Sequence, residues 1–226
     1  MLEFLTQLMP NVIDKWPAFV QACLETLQMI AFSGSISFAF GLFFGVILTV
    51  TNKDGILENR WVWTILDKLV NIFRAIPFII LVALLMDMTR AIAGTTIGVR
   101  GAIFPLIVGT VPFFSRQIES ALAEVDYGLI EASQSMGDSP LQTILRVYLK
   151  ESIPGIIRAT TITLISLIGL TAMVGVVGGG GIGNFAIQYG YSRHQTDITY
   201  MSCIVILIFI TLVQSLSNVL IQKTTH

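Results

Sequence analysis

Apolar residues along this chain gather into five long runs, and the polar residues collect between the runs instead of alternating within them. No charged residue lies between Thr26 and Asn52, between Arg158 and Arg193, or from Ile198 to Gln222. A helix crossing a bilayer needs about 20 largely apolar residues, so each of these runs is long enough. Two weaker runs, near residues 76–85 and from Ala102, complete the pattern. The expectation is an all-α integral membrane fold with five transmembrane helices, at about 22–50, 63–88, 102–124, 154–178 and 198–222. Residues 1–18, with Pro10, Trp16 and Pro17, read as an extramembrane lead-in, and 19–222 as one transmembrane domain.

Each span carries its own punctuation. Along the first, Ser33, Ser37, Gly41 and Gly45 recur every fourth residue, a small-residue stripe that lets helix backbones approach closely. The stripe can serve within the chain or against a second copy, and packing within the chain is the expectation. The second span begins with Asp67, Lys68 and Arg74 at the membrane surface or in a protein-lined vestibule, and Pro77 should bend it. Arg74 is either a cation snorkelling to the interface or a functional group at the cytoplasmic end. The third continues as a polar helix through Arg116, Glu119 and Glu124, with Pro105 and Pro112 marking kinks or a gap lined by neighbours. On the fourth, Thr160, Thr163 and Thr171 fall within roughly 80° on a helical wheel. Their hydroxyls either bond back to their own helix or line a cavity.

Between spans three and four the chain turns polar, over about 126–150. Gly137 can take the left-handed conformation that ends a short helix. Ser139 then fits an N-cap, Pro140 the first helical position and Gln142 the reciprocal partner of a capping box. So sharply punctuated a helix pair belongs in water, as a connector or as a docking element.

Composition narrows the chemistry. Charged residues make up 12% of the 226 and hydrophobic ones 54%, against about 25% charged in a soluble domain. The net charge of −1 argues against a nucleic-acid partner. Cys23 and Cys203 are the only cysteines and His194 and His226 the only histidines, so neither a disulfide framework nor a metal site is supported. The N-terminus carries Glu3 and no early lysine or arginine, unlike a cleaved signal peptide. No catalytic constellation is apparent, and without a G-x-x-x-x-G-K-[ST] loop any ATP hydrolysis needs another chain. Gly178, Gly180 and Gly183 fit G-x-G-x-x-G, but a transmembrane helix precedes them where a dinucleotide site requires a strand. The last two spans lack intramembrane charge, which counts against a proton-coupled carrier or an ion channel. With the polar loop on the cytoplasmic side, nine of the 13 lysines and arginines lie on that side, as the positive-inside rule asks. The N-terminus is then outside and the C-terminus inside.

Glu131-Ala132-Ser133, Gly137, Val147 and Leu149 resemble the Glu-Ala-Ala loop of ABC importer membrane subunits, although Lys150 stands where that loop usually has a proline. Arg74 and Pro77, in Asn71-Ile72-Phe73-Arg74-Ala75-Ile76-Pro77, resemble the arginine-then-proline signature of amino-acid ABC permeases. Thr171-Ala172-Met173, the glycines closing at Ile182-Gly183, and Gln188-Tyr189-Gly190-Tyr191 are similar to bacterial methionine-importer permeases, from about Cys23 to Ser217. The resemblance implies a type I ABC permease in the bacterial inner membrane, working as a homodimer with two ATPase subunits and an extracytoplasmic binding protein. ATP and magnesium would be held by the ATPase subunits and no cofactor by this chain. It implies import of L- and probably D-methionine by alternating access, with Glu131, Ala132, Ser133, Gly137, Ser139 and Pro140 forming the ATPase-coupling loop. Met173 would be an outer gate or a soft contact for a thioether, or else a packing methionine. Glu131 would orient the loop through a salt bridge or a helix-end contact. A permease for another amino acid or a small osmolyte is the nearest alternative, and a channel-like protein the alternative from another class.

Overall fold

The computed structural model describes residues 9–224; Glu3, His226 and the first part of the lead-in lie outside the described residues. The chain is helical in the order α1 (Pro10–Asp14), α2 (Trp16–Thr51), α3 (Arg60–Ala75), α4 (Phe78–Leu84), α5 (Met86–Ala93) and α6 (Gly98–Leu122). After these come α7 (Tyr127–Ser135), α8 (Pro140–Thr143), a π-helical turn Ile144–Tyr148 and α9 (Leu149–Glu151). The series ends with α10 (Ile153–Val176), α11 (Gly181–Phe185), a second π-helical segment Ala186–Tyr191, and α12 (Thr196–Thr224). Among the described residues four helices, α2, α6, α10 and α12, are long and apolar enough to cross a membrane.

The interval expected to be one bent second span is instead three helices. Ile76 is extended (φ −76°, ψ 124°) and ends α3, while Pro77 caps α4 from outside. Proline has no N–H and disfavours helical backbone at the residue before it, so the helix breaks here where a bend was expected. A second interruption falls at Leu85 (φ −87°, ψ 3°), and Gly94 (φ 73°) closes α5. Pro105 and Pro112 do the opposite: α6 runs through both without interruption.

By contact, the chain divides into two units. The first takes Met1–Ser35, Pro77–Ile107 and Leu164–Val213; the second takes Ile36–Ile76, Val108–Thr163 and Gln214–His226. In the first, Phe19, Ala22, Ile182, Phe185 and Ile198 form one buried cluster, and Met29, Ala102, Leu106, Leu167 and Val174 another. In the second, Phe114, Ile118, Leu122 and Ala159 are buried with Ile130 of α7 and Tyr148 of the π-turn. That last cluster anchors the polar helix pair to the long helices. Burying a side chain the size of Ile130 contributes about 1.5–3 kcal/mol.

The small-residue stripe of α2 packs within the chain. A Cβ at Gly45 would lie 2.6 Å from the Ile118 side chain and 2.8 Å from the Ser115 carbonyl oxygen, and one at Gly41 would lie 2.5 Å from the Phe114 ring. Ser33 and Ser37 are buried, and Ser33 donates back to the Met29 carbonyl.

Candidate functional site: a doubly capped helix pair

α7 starts where Asp126 accepts the Gly128 N–H at 2.7 Å. It ends in a tightly closed turn. Gly137 has φ 88°, its N–H donates to the Gln134 carbonyl at 3.0 Å, and the Asp138 N–H donates to the Ser133 carbonyl at 3.2 Å. These two bonds are the pair that closes a helix through a left-handed glycine. Two residues on, the capping box is present: the Ser139 N–H donates to Gln142 Oε1 at 2.7 Å and the Gln142 N–H to Ser139 Oγ at 3.4 Å. Pro140 occupies the first turn, where its missing N–H costs nothing.

Four side chains lock the pair together: Ser133 and three that the sequence did not single out, Asp138, Thr143 and Arg146. Ser133 is buried, and its hydroxyl lies 2.9 Å from Asp138 Oδ2 and 3.1 Å from the Thr143 hydroxyl. Thr143, also buried, donates to the Ser139 carbonyl at 3.3 Å. Arg146 reaches Asp138 Oδ1 at 3.3 Å. Asp138 therefore receives donors from both sides of the turn. A short polar residue directly after a helix-closing glycine is the signal that could have pointed to it. Burial pushes the Tyr148 phenol above its ordinary pKa, with the neighbouring Tyr127 adding to the shift, so the hydroxyl stays protonated near neutral pH.

Glu131 and Ala132 are exposed. Glu131 makes no ion pair or hydrogen bond among the described residues. In the same segment Tyr127, Leu129, Met136, Leu141 and Leu145 are also exposed, Met136 at 79% and Leu141 at 64%. Lys150 continues the helix that starts at Leu149, and the chain breaks instead at Ser152 (φ −85°, ψ 5°).

The remaining candidates belong to other helices, Arg74 to α3 and Thr160, Thr163, Thr171 and Met173 to α10. Arg74 is exposed in the last turn of α3, where a cation complements the helix dipole. Thr160, Thr163 and Thr171 donate to the carbonyls of Ile156, Ala159 and Ile168 at 2.7–2.8 Å. Thr163 and Thr171 are buried, while Met173 is 40% exposed. Two further constellations arise from residues far apart in sequence. Glu25 accepts the Gly181 N–H at 2.8 Å and Thr26 the Ile182 N–H at 2.9 Å, so the first span caps the start of α11. Arg116 pairs with Asp67 at 2.5 Å and with Glu119 at 2.6 Å, and donates to Asn71 Oδ1 at 3.0 Å, joining α3 to α6.

Long apolar helices joined by a doubly capped helix pair define an integral membrane protein. The chain belongs to the family of binding-protein-dependent transport system inner membrane components, which matches residues 28–225. It is 42% identical over 221 residues to the "Probable D-methionine transport system permease protein MetI" of Vibrio cholerae serotype O1, covering 96% of this chain and 98% of that one. Over 146 residues it is 47% identical to the D-methionine transport system permease protein MetI of Escherichia coli K12, 65% of this chain and 67% of that one. Its structure is similar to one described as an inward-facing conformation of the MetNI methionine ABC transporter, with a TM-score of 0.92 at 41% identity. That match covers 94% of this chain and 99% of the other. The chain is thus a multi-pass inner-membrane transport component.

Proposed function

We propose that this chain is the membrane-spanning permease subunit of an ATP-driven methionine importer, and that residues 126–150 are the lever through which separate ATPase subunits move it. The observation that carries the reading is that Tyr127, Leu129, Met136, Leu141 and Leu145 stand exposed on the helix pair that also carries the unpaired Glu131. A water-facing helix pair that leaves such a patch open is built to be covered by a partner, and the bonds of Ser133, Asp138 and Thr143 make it stiff enough to transmit a displacement.

In this reading two copies assemble with two ATPase subunits, which hold the ATP and magnesium, and with an extracytoplasmic binding protein. Five crossings form the domain, the second made by α3, α4 and α5 together, with the N-terminus outside and the C-terminus in the cytoplasm. ATP binding draws the ATPase subunits together and carries Glu131, Ala132, Ser133, Gly137, Ser139 and Pro140 with them. The long helices then rock to open the pathway outward, with the break between Arg74 and Pro77 as a point of flexure. Met173, with Thr160, Thr163 and Thr171 on its helix, belongs to the pathway, and hydrolysis resets the cycle. Because α10 and α12 carry no charge within their apolar stretches, a zwitterion finds no paired group there. The permease therefore binds substrate weakly, and selectivity resides in the binding protein.

The test is uptake of labelled L- and D-methionine by the full assembly in proteoliposomes. ATP-dependent uptake that excess methionine suppresses and excess glutamine does not is expected. Uptake suppressed by glutamine or by an osmolyte such as glycine betaine, and not by methionine, would refute the assignment.

A further inference from the structure

α11 begins without a cap of its own. Its N-cap position is Gly180 (φ 82°, ψ −166°), which has no side chain to offer, while the first N–H groups of a helix need acceptors. Two of them are met from α2. The Glu25 carboxylate accepts the Gly181 N–H at 2.8 Å, and the buried Thr26 hydroxyl accepts the Ile182 N–H at 2.9 Å. Thr26 sends its own proton to the Ala22 carbonyl at 3.0 Å, which leaves a lone pair for Ile182. Glu25 is in no ion pair among the described residues, and its other oxygen accepts from the Gln21 side chain at 3.1 Å. The fit is close: a Cβ at Gly181 would lie 2.6 Å from the Met29 methyl, and one at Gly180 2.7 Å from Glu25 Oε2. Ile182 and Phe185 are buried with Phe19 and Ala22. Such apolar burial is non-directional, so it holds α11 to α2 without fixing its register, and the two hydrogen bonds do that.

α11 in turn lies directly against the end of α10. An added Cβ at Gly175 would strike the Asn184 backbone nitrogen, and one at Gly183 the Ala172 carbonyl. The two backbones therefore touch over the turn that carries Met173. The segment joining them is closed as well. The Gly179 N–H donates to the Val174 carbonyl at 2.9 Å and the Gly178 N–H to the Gly175 carbonyl at 3.2 Å, the bond pair of a helix ended by a left-handed residue. The Gly178 carbonyl then accepts the Gly98 N–H of α6 at 2.9 Å. With so little freedom between Met173 and Ile182, the place where α11 is held decides where the last turn of α10 sits.

We infer that Glu25 is a positioning residue of the importer. With Thr26 it sets the register of α11 on α2, and through the backbone contact of α11 with α10 it holds Met173 in place. The inference rests on the assignment of Met173 to the translocation pathway.

The experiment has two arms. In the first, NMR of the full chain labelled at its methionine methyls follows Met173, Met29 and Met136, each assigned by substitution with leucine. Glu25→Ala is expected to displace the Met173 and Met29 signals and to leave that of Met136. Glu25→Gln keeps a carbonyl oxygen for the Gly181 N–H, with Gln21 free to turn its amide, and should hold all three signals at their parent positions. Thr26→Val keeps the shape and removes the second acceptor; it should displace the same two signals, and it decides the matter where Glu25→Ala does not fold. In the second arm the full assembly is reconstituted, and methionine taken up per ATP hydrolysed should fall about fivefold in Glu25→Ala and stay at the parent ratio in Glu25→Gln. An unmoved Met173 signal, or a Met136 signal displaced as far as that of Met173, would overturn the positioning role. So would a displaced Met173 with an unchanged uptake ratio, or a Glu25→Gln variant as impaired as Glu25→Ala. A parent assembly that takes up no methionine would refute the importer assignment instead, and the first arm, which needs no partner, would still decide whether Glu25 holds the end of α10.

Discussion

The hydroxyls of Ser133 and Thr143 lie 3.1 Å apart with both side chains buried, and they join the end of α7 to the helix that follows it. Ser133 also serves Asp138, so Ser133→Ala removes a partner from two buried or half-buried groups at once. The expected loss is about 1–2 kcal/mol, seen as a lower melting temperature of the purified protein and as weaker ATPase stimulation by substrate. An unchanged melting curve would show that the pair is held by backbone capping alone.

Gly137 isolates the backbone contribution. Its φ is 88°, and an added Cβ there would meet no atom within 4 Å. Gly137→Ala should therefore cost only conformational strain, about 1–2 kcal/mol, whereas Gly137→Asn, which tolerates the left-handed region, should cost less. Thermal unfolding of both variants checks the order, and equal stabilities would mean that the turn is not left-handed.

On α2 the controlling factor is space. Gly45→Ala forces its Cβ against Ile118 and the Ser115 carbonyl, and overpacking of this kind costs about 1–3 kcal/mol. Gly169→Ala places a methyl where nothing lies within 4 Å, in the interior of α10, and should stabilise by about 0.5–1 kcal/mol. Fluorescence size-exclusion profiles after graded heating would rank the two against the parent chain. A stable Gly45→Ala would contradict the close approach of α2 and α6.

The Asp67–Arg116–Glu119 cluster predicts a non-additive result. Arg116→Gln leaves two carboxylates near one another without their shared cation. Breaking a fully buried pair costs about 3–5 kcal/mol; here the Asp67 and Arg116 side chains keep 21% and 23% of their exposure, so the loss should be smaller. Adding Asp67→Asn should recover part of the stability lost in Arg116→Gln. Strict additivity in the double-mutant cycle would mean that Asp67 and Arg116 are not coupled.

What the residue pattern made legible was local. Gly137, Ser139, Pro140 and Gln142 announce their turn and cap within six positions, and the structure has the geometry they call for. The apolar runs of α2, α10 and α12 are equally plain because the bilayer asks only for length and hydropathy. Proline was ambiguous. Pro77 breaks a helix whereas Pro105 and Pro112 ride within one, and the difference lies in neighbours that no local window contains. The threonines of α10 also carried two readings, and their hydroxyls return to their own backbone. Least legible were the distant pairings, Glu25 with Gly181 across 156 positions and Asp67 with Arg116 across 49. Tertiary folding alone brings those groups together.

The central claim is that the surface around Glu131 lies in the cytoplasm beneath an ATPase subunit. It is tested by Glu131→Cys in a chain whose native Cys23 and Cys203 are replaced by serine, treated with a membrane-impermeant maleimide. Labelling in inside-out vesicles, none in right-side-out cells, and protection when the ATPase subunit is co-expressed is the predicted result. Labelling from the outside, or labelling indifferent to the ATPase subunit, would contradict it.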